Sequence, residues 1–108
     1  MTRFNFSNKY SAKKTYSELC GRKFDSKAEA RRGEELHLLE KAGEIQDLQY
    51  QVRFVLHHKP IIAIKIDFVY IQDGSKVFED VKGKETRDFR VKRYWLEEQQ
   101  GIVIKITK

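Results

Sequence analysis

Apolar positions fall into two helical and several extended stretches along this chain. From Ser26 to Ala42 the spacing is helical: Glu29, Gly33, Leu36, and Leu39 or Glu40 lie on one side. Ser26-Lys27-Ala28-Glu29 fits a capping box with Ser26 as N-cap, and Gly43 is a natural terminator. Gln51 to His58 alternates Val52, Phe54 and Leu56 against Arg53, Val55 and His57, so it predicts a strand that ends at Lys59-Pro60. Ile61 to Ile71 is rich in β-branched and aromatic residues, and Lys76 to Lys82 is shorter and alternates. A second helix starts at an N-cap, Thr86, and stops at Gly101. Phe89, Trp95 and Leu96, with Val91 or Tyr94, form its apolar side. Ile102 to Thr107 closes the chain as a strand. Before the first helix, Thr15 to Phe24 reads as a short strand or a hairpin turning at Gly21. Ile45 to Tyr50 reads as a connection or short strand. The order αβββαβ predicts an α/β (α+β) domain: a mixed central β-sheet flanked by two helices.

The central hairpin carries the candidate chemistry. Asp73-Gly74 is a type I′ turn signal, because that turn needs positive φ at both central positions. With that turn, Gln72 faces Ser75, Tyr70 faces Val77, Phe68 faces Glu79 and Asp67 faces Asp80. Opposed side chains have Cβ atoms roughly 4.5–5.5 Å apart, and like charges there destabilise a sheet. A divalent cation would offset the cost, since hard cations take carboxylate oxygens. The plainer alternative is a solvated edge where the two charges splay apart. Lys82 lies two residues from Asp80, hence on the same face, whereas Glu79 points away. Glu29 starts the apolar side of the first helix; it either faces the sheet or serves only the capping box. His57-His58 is a poor metal pair, because neighbours on a strand face opposite sides.

At 108 residues, 40% hydrophobic and 35% charged, the chain has the size of one small folded domain. No apolar run approaches the roughly 20 residues of a membrane span, and the N-terminus lacks the apolar core of a secretory signal. Cys20, the sole cysteine, fits a reducing, cytoplasmic setting. Net charge is +6, which favours an acidic polymer as partner. The charge is uneven. Residues 1–32 carry nine Lys/Arg against three acids, residues 33–50 one against five, and residues 82–93 six against two. Residues 1–15 read as a basic arm with interspersed aromatics, and residues 16–108 as the domain. Lys13 and Lys14 in the arm, and Lys84, Arg87, Arg90, Lys92 and Arg93 after the hairpin, are the candidate phosphate contacts.

Glu29 on the first helix, Asp67 on the second strand and Asp80-Val81-Lys82 on the third resemble the PD-(D/E)XK nuclease superfamily. The phrases FDSKAEA, AGEI, IDFVY and EDVKGKET are similar, more narrowly, to a family of small phage and prophage proteins labelled DUF1064 and regarded as PD-(D/E)XK endonucleases. The likeness runs from about Lys13 to Lys108. Two positions depart from the pattern: Ile66 stands where the motif has proline, and Asp80 where glutamate is more frequent.

The resemblance implies a restriction-endonuclease-like core and a metal-dependent DNA endonuclease, with structure-selective action on branched DNA as one form of that activity. It implies Glu29, Asp67, Asp80 and Lys82 as catalytic residues, with Mg²⁺ or Mn²⁺ held by Asp67, Asp80, the Val81 carbonyl and Glu29. A homodimer would let so small a domain cut both strands. Lys65, opposite Lys82 in the expected register, would lower the Lys82 pKa. Other readings are a non-catalytic nucleic-acid-binding module and an interaction subunit of a phage replication or packaging complex.

Overall fold

The computed structural model describes residues 14–108. The arm's first thirteen residues, Lys13 among them, lie outside the described residues. Two short strands, β1 (Thr15–Ser17) and β2 (Arg22–Phe24), form an antiparallel pair turning through Gly21. Helix α1 (Lys27–Lys41) follows, then β3 (Gln46–His58), β4 (Ile61–Gln72), β5 (Ser75–Val81), helix α2 (Arg87–Gln100) and β6 (Ile104–Thr107). The main sheet has the order β3-β4-β5-β6. It is antiparallel except that β6 runs parallel to β5, so it is mixed.

The local signals act as their chemistry dictates. Ser26 Oγ accepts the Glu29 N–H at 3.0 Å, and Thr86 Oγ1 accepts the Phe89 N–H at 3.1 Å. Beyond α1, Gly43 N–H reaches Glu40 O at 3.0 Å and Glu44 N–H reaches Leu39 O at 2.9 Å, closing a Schellman end with Gly43 at φ 81°. Asp73 and Gly74 have φ of 52° and 78°, the pair of positive angles that a type I′ turn demands. The expected register follows: Gln72 pairs with Ser75, Tyr70 with Val77 and Phe68 with Glu79.

Each face of the sheet is covered by one helix. Against α2 pack Leu56, Ile64, Ile66, Val69 and Ile104, with Phe89 and Leu96 from the helix. Against α1 pack Phe24, Ile45, Phe68 and Tyr70, with Ala30 and Leu36. The α1 approach is close: a Cβ on Gly33 would stand 2.7 Å from the Phe24 ring and 3.3 Å from the Phe68 ring. On α2, Phe89 and Leu96 are buried and Trp95 is half-buried, while Val91 and Tyr94 are exposed and do not extend the apolar side.

One feature of β3 departs from expectation. Residues 46–58 form a single thirteen-residue strand, not a connection followed by a strand. The apparent boundary at Gln51 has a physical cause. Leu48 and Tyr50 pack toward α1, whereas Val52 and Phe54 pack toward α2. All four are even-numbered, so the two-residue alternation slips phase between them. Gln51 stands at the slip with φ 54°. On β4 the slip falls at the same level: Ile64 and Ile66 pack toward α2, Phe68 and Tyr70 toward α1. The residue between Ile66 and Phe68 is Asp67.

Candidate active site

The phase slip opens the sheet at the carboxylates. The β3–β4 ladder passes from Tyr50↔Phe68 to Val52↔Ile66 and skips Gln51 and Asp67. The β4–β5 ladder stops at Phe68↔Glu79, one step short of Asp67 and Asp80. Side chains fill the space where backbone pairing would continue. The Asp67 N–H donates to Asp80 Oδ1 at 2.9 Å, and the Val81 N–H donates to Asp67 Oδ2 at 2.9 Å. Asp67 and Asp80 therefore meet, but not as the same-face cross-strand pair expected from alternation. They interlock through a parting of β4 from β5.

Both carboxylates are buried, Asp80 completely. Burial pushes the Asp67 carboxyl up to about 8, and the neighbouring Asp80 charge adds to the effect. Burial likewise raises Asp80, against the pull of Lys82. Asp80 Oδ2 is a buried oxygen without a hydrogen bond. The Lys82 ammonium stands 3.0 Å from it as an ion pair. Lys82 Nζ also lies 4.3 Å from the centre of the Phe89 ring, so α2 holds it in place. Lys65, expected opposite Lys82, instead pairs with Asp25 at 3.2 Å. Because the ladder ends at Phe68↔Glu79, the register that placed the two lysines together does not extend to them.

Glu29 fulfils both readings offered by its position. It is buried, and its Oε1 accepts the Asp25 N–H at 3.1 Å, which is capping work displaced one residue from the usual box. Its Oε2 accepts from Gln51 Nε2 at 2.5 Å. Burial raises its pKa, and its neighbours include Asp67. Glu29, Asp67, Val81 and Lys82 line an open cleft of about 370 Å³ together with Asp25, Ser26, Ala28 and Gly83. A second cleft, lined by Lys82, Gly83, Lys84, Glu85, Arg90, Ile106 and Lys108, shares Lys82 and Gly83 with it.

The basic side of α2 is thinner than its residues suggest. Arg93 Nε and Nη2 reach Glu85 at 2.6 and 3.1 Å, and Arg90 Nε approaches the same carboxylate at 3.5 Å. Lys92 pairs with Asp88 at 3.3 Å. Lys14, Lys84 and Arg87 are exposed.

Three participants were not legible in sequence. Gln51 had only its place at a strand start to mark it. Asp25 stands just before an N-cap, where the hydrophobic pattern gives it no mark. Glu79 does point away from Asp80 and Lys82, but into a buried network rather than to solvent. Its carboxylate takes Arg32 Nε at 2.7 Å, the Tyr70 hydroxyl at 2.6 Å and the Thr107 hydroxyl at 3.0 Å. Burial opposes its charge, yet the Arg32 bond and its other donors hold it below the usual carboxylate range. Burial first, and then the Glu79 carboxylate, push the Tyr70 hydroxyl up to about 12, against the pull of Arg32.

Among the described residues, no group of three or more His, Cys, Asp or Glu side chains stands as a ready-made cage for a metal ion. The donor chemistry nevertheless suits a hard cation: the Glu29 and Asp67 carboxylates line an open cleft, and the buried Asp80 carboxylate interlocks with Asp67 behind it. Among the described residues, no helix is long and apolar enough to cross a membrane.

A family model described as "Protein of unknown function (DUF1064)" matches residues 7–106. No curated protein matches the chain, and no solved structure does.

Proposed function

This chain belongs to the DUF1064 family, and on that footing we propose that it is a divalent-metal-dependent phosphodiesterase acting on DNA, with a PD-(D/E)XK-type core like that of restriction endonucleases. One observation carries the reading. Two buried carboxylates interlock at a parting of the sheet: Asp67 lines an open cleft, and behind it Asp80 keeps a buried oxygen whose near neighbour is the Lys82 ammonium at 3.0 Å. One ammonium faces two buried carboxylates, so with both ionised the pair keeps a net negative charge that a bound cation would offset.

Asp67, Asp80, the Val81 carbonyl and, directly or through water, Glu29 would hold Mg²⁺ or Mn²⁺. When bound, the ion would polarise the scissile phosphate and lower the pKa of a water. Lys82, held by Phe89 and Asp80, would orient that water or steady charge developing on the phosphate. Gln51 and the Asp25 N–H fix the Glu29 carboxylate against rotation. Lys84, Arg87 and Arg90 would position phosphates without reading sequence, and a second copy of the chain would supply the second cut in a duplex. Branched DNA in phage DNA metabolism, in the cytoplasm of a host cell, is the setting this reading favours.

The test compares plasmid and branched DNA incubated with Mg²⁺ or Mn²⁺, using wild type, Asp80→Ala and Lys82→Ala. Cleavage by wild type and its loss in both variants is expected; cleavage surviving both rejects this site. A second reading is a non-catalytic nucleic-acid-binding module. The backbone N–H groups that already occupy Asp67 and Asp80 favour it. It predicts salt-sensitive DNA binding with no hydrolysis under either metal.

A further inference from the structure

Beyond the phase slip, the β3–β4 ribbon exposes charged residues on the face it turns away from α2. Val52 and Phe54 on β3, and Ile64 and Ile66 on β4, pack into the core against α2. Their neighbours Arg53 and Lys65 project from the other face and are directly opposed in the ladder. That face is the α1 side, since Lys65 reaches Asp25 at the rim of the carboxylate cleft. The α1-side core holds Tyr50 and Phe68 from these strands, but neither Arg53 nor Lys65. Both residues are exposed.

Like charges directly opposed across strands destabilise a sheet. Asp25 relieves Lys65, whereas no ion pair among the described residues involves Arg53. The pair lies one step from the active cleft. Lys65 is two residues from Asp67, roughly 6.6 Å along the strand. That is about one phosphate-to-phosphate step along a nucleic-acid strand. Because β4 lies between β3 and β5, the Arg53–Lys65 pair flanks the carboxylates on one side and the Lys82–Lys84 loop flanks them on the other.

We propose that the exposed stretch of the β3–β4 ribbon at Arg53 and Lys65 is a second nucleic-acid backbone contact, so that a phosphodiester strand crosses the carboxylate cleft with a cationic hold on each side. The inference rests on the proposed nucleic-acid function and adds the path of the substrate. Charge complementarity selects the occupant. A strand gripped on one side alone would pivot about the reacting phosphate, and a grip on both sides fixes its direction through the cleft.

The experiment measures binding of a labelled DNA duplex across a salt series in EDTA, with cleavage assayed separately in Mn²⁺. Arg53→Gln is the informative variant, because it leaves Asp25 paired. Lys76→Gln, an exposed charge near the turn of the β4–β5 hairpin, controls for net charge. Arg53→Gln should make the log–log salt slope shallower by about 0.9, the value of one phosphate contact. Arg53→Lys should restore the slope, and Lys76→Gln should leave it as in wild type. Equal slopes for Arg53→Gln and wild type, or equal losses in Arg53→Gln and Lys76→Gln, overturn the inference while cleavage still stands or falls on its own. An Arg53-dependent slope without any cleavage upholds the path and sinks the phosphodiesterase. Wild type that neither binds nor cuts DNA overturns both.

Discussion

Two carboxylates at adjacent positions of one strand, Glu79 and Asp80, have opposite fates. Glu79 has three donors, including a guanidinium, and stays charged. Asp80 has one N–H and an ammonium contact, and burial raises its pKa. Glu79→Gln leaves Arg32 without its closest partner. It should cost about 3 kcal/mol, the low end for a broken buried pair because Arg32 keeps some solvent. Urea denaturation reads that loss. Asp67 gives a pH dependence of the other sign. Its carboxyl titrates at about 8 in the fold against about 4 when unfolded, so folding favours the protonated form. The metal-free protein should therefore be more stable near pH 4, as far as this group is concerned, and lose that increment as pH rises to about 8. Asp67→Asn should flatten the trend and raise the urea midpoint at pH 8. Neither fate was legible from residue type: Asp and Glu carry the same charge in sequence, and only their surroundings separate them.

Among the elements, α1 depends on a close approach. Its stripe of Glu29, Ala30, Gly33 and Leu36 is buried, close to the helical spacing read from sequence. Gly33→Ala would gain about 1 kcal/mol of helix propensity. It would also drive a Cβ to 2.7 Å from the Phe24 ring, and overpacking of that kind costs about 1–3 kcal/mol. A net loss in thermal midpoint is expected, smaller in a Gly33→Ala/Phe24→Leu double variant. The helix bounds and the type I′ hairpin were legible because caps and turns are local. The phase slip in β3 and β4 was not. A β-strand with two buried stretches facing opposite helices looks, residue by residue, like a strand interrupted.

On the scale of the molecule, sheet, helices and cleft are linked by the cation the site would take. A ligand that binds only the folded state stabilises it by about 2.7 kcal/mol at a hundred times its Kd. Mn²⁺ should accordingly raise the thermal midpoint of wild type at pH 8, and the increment should vanish in an Asp67→Asn/Asp80→Asn variant. An unchanged wild-type midpoint at millimolar Mn²⁺ would count against the metal site. The basic surface was only partly legible at this scale. Lysines and arginines can be counted from the chain, but Arg93 and Lys92 are tied to Glu85 and Asp88, while Arg53 is exposed beside the cleft.

The chain itself determined whatever depends on near neighbours: the two capped helices, the Asp73-Gly74 turn, the register of β4 on β5, and therefore the approach of Asp67 to Asp80. Tertiary structure decided how they meet. β3 and β4 change phase at Gln51 and Asp67 as their apolar residues turn from one helix to the other, which interrupts the β3–β4 ladder there and ends the β4–β5 ladder. Successive apolar residues of the same parity can face opposite cores only if the alternation breaks between them, and no local pattern states where a helix on each side will end.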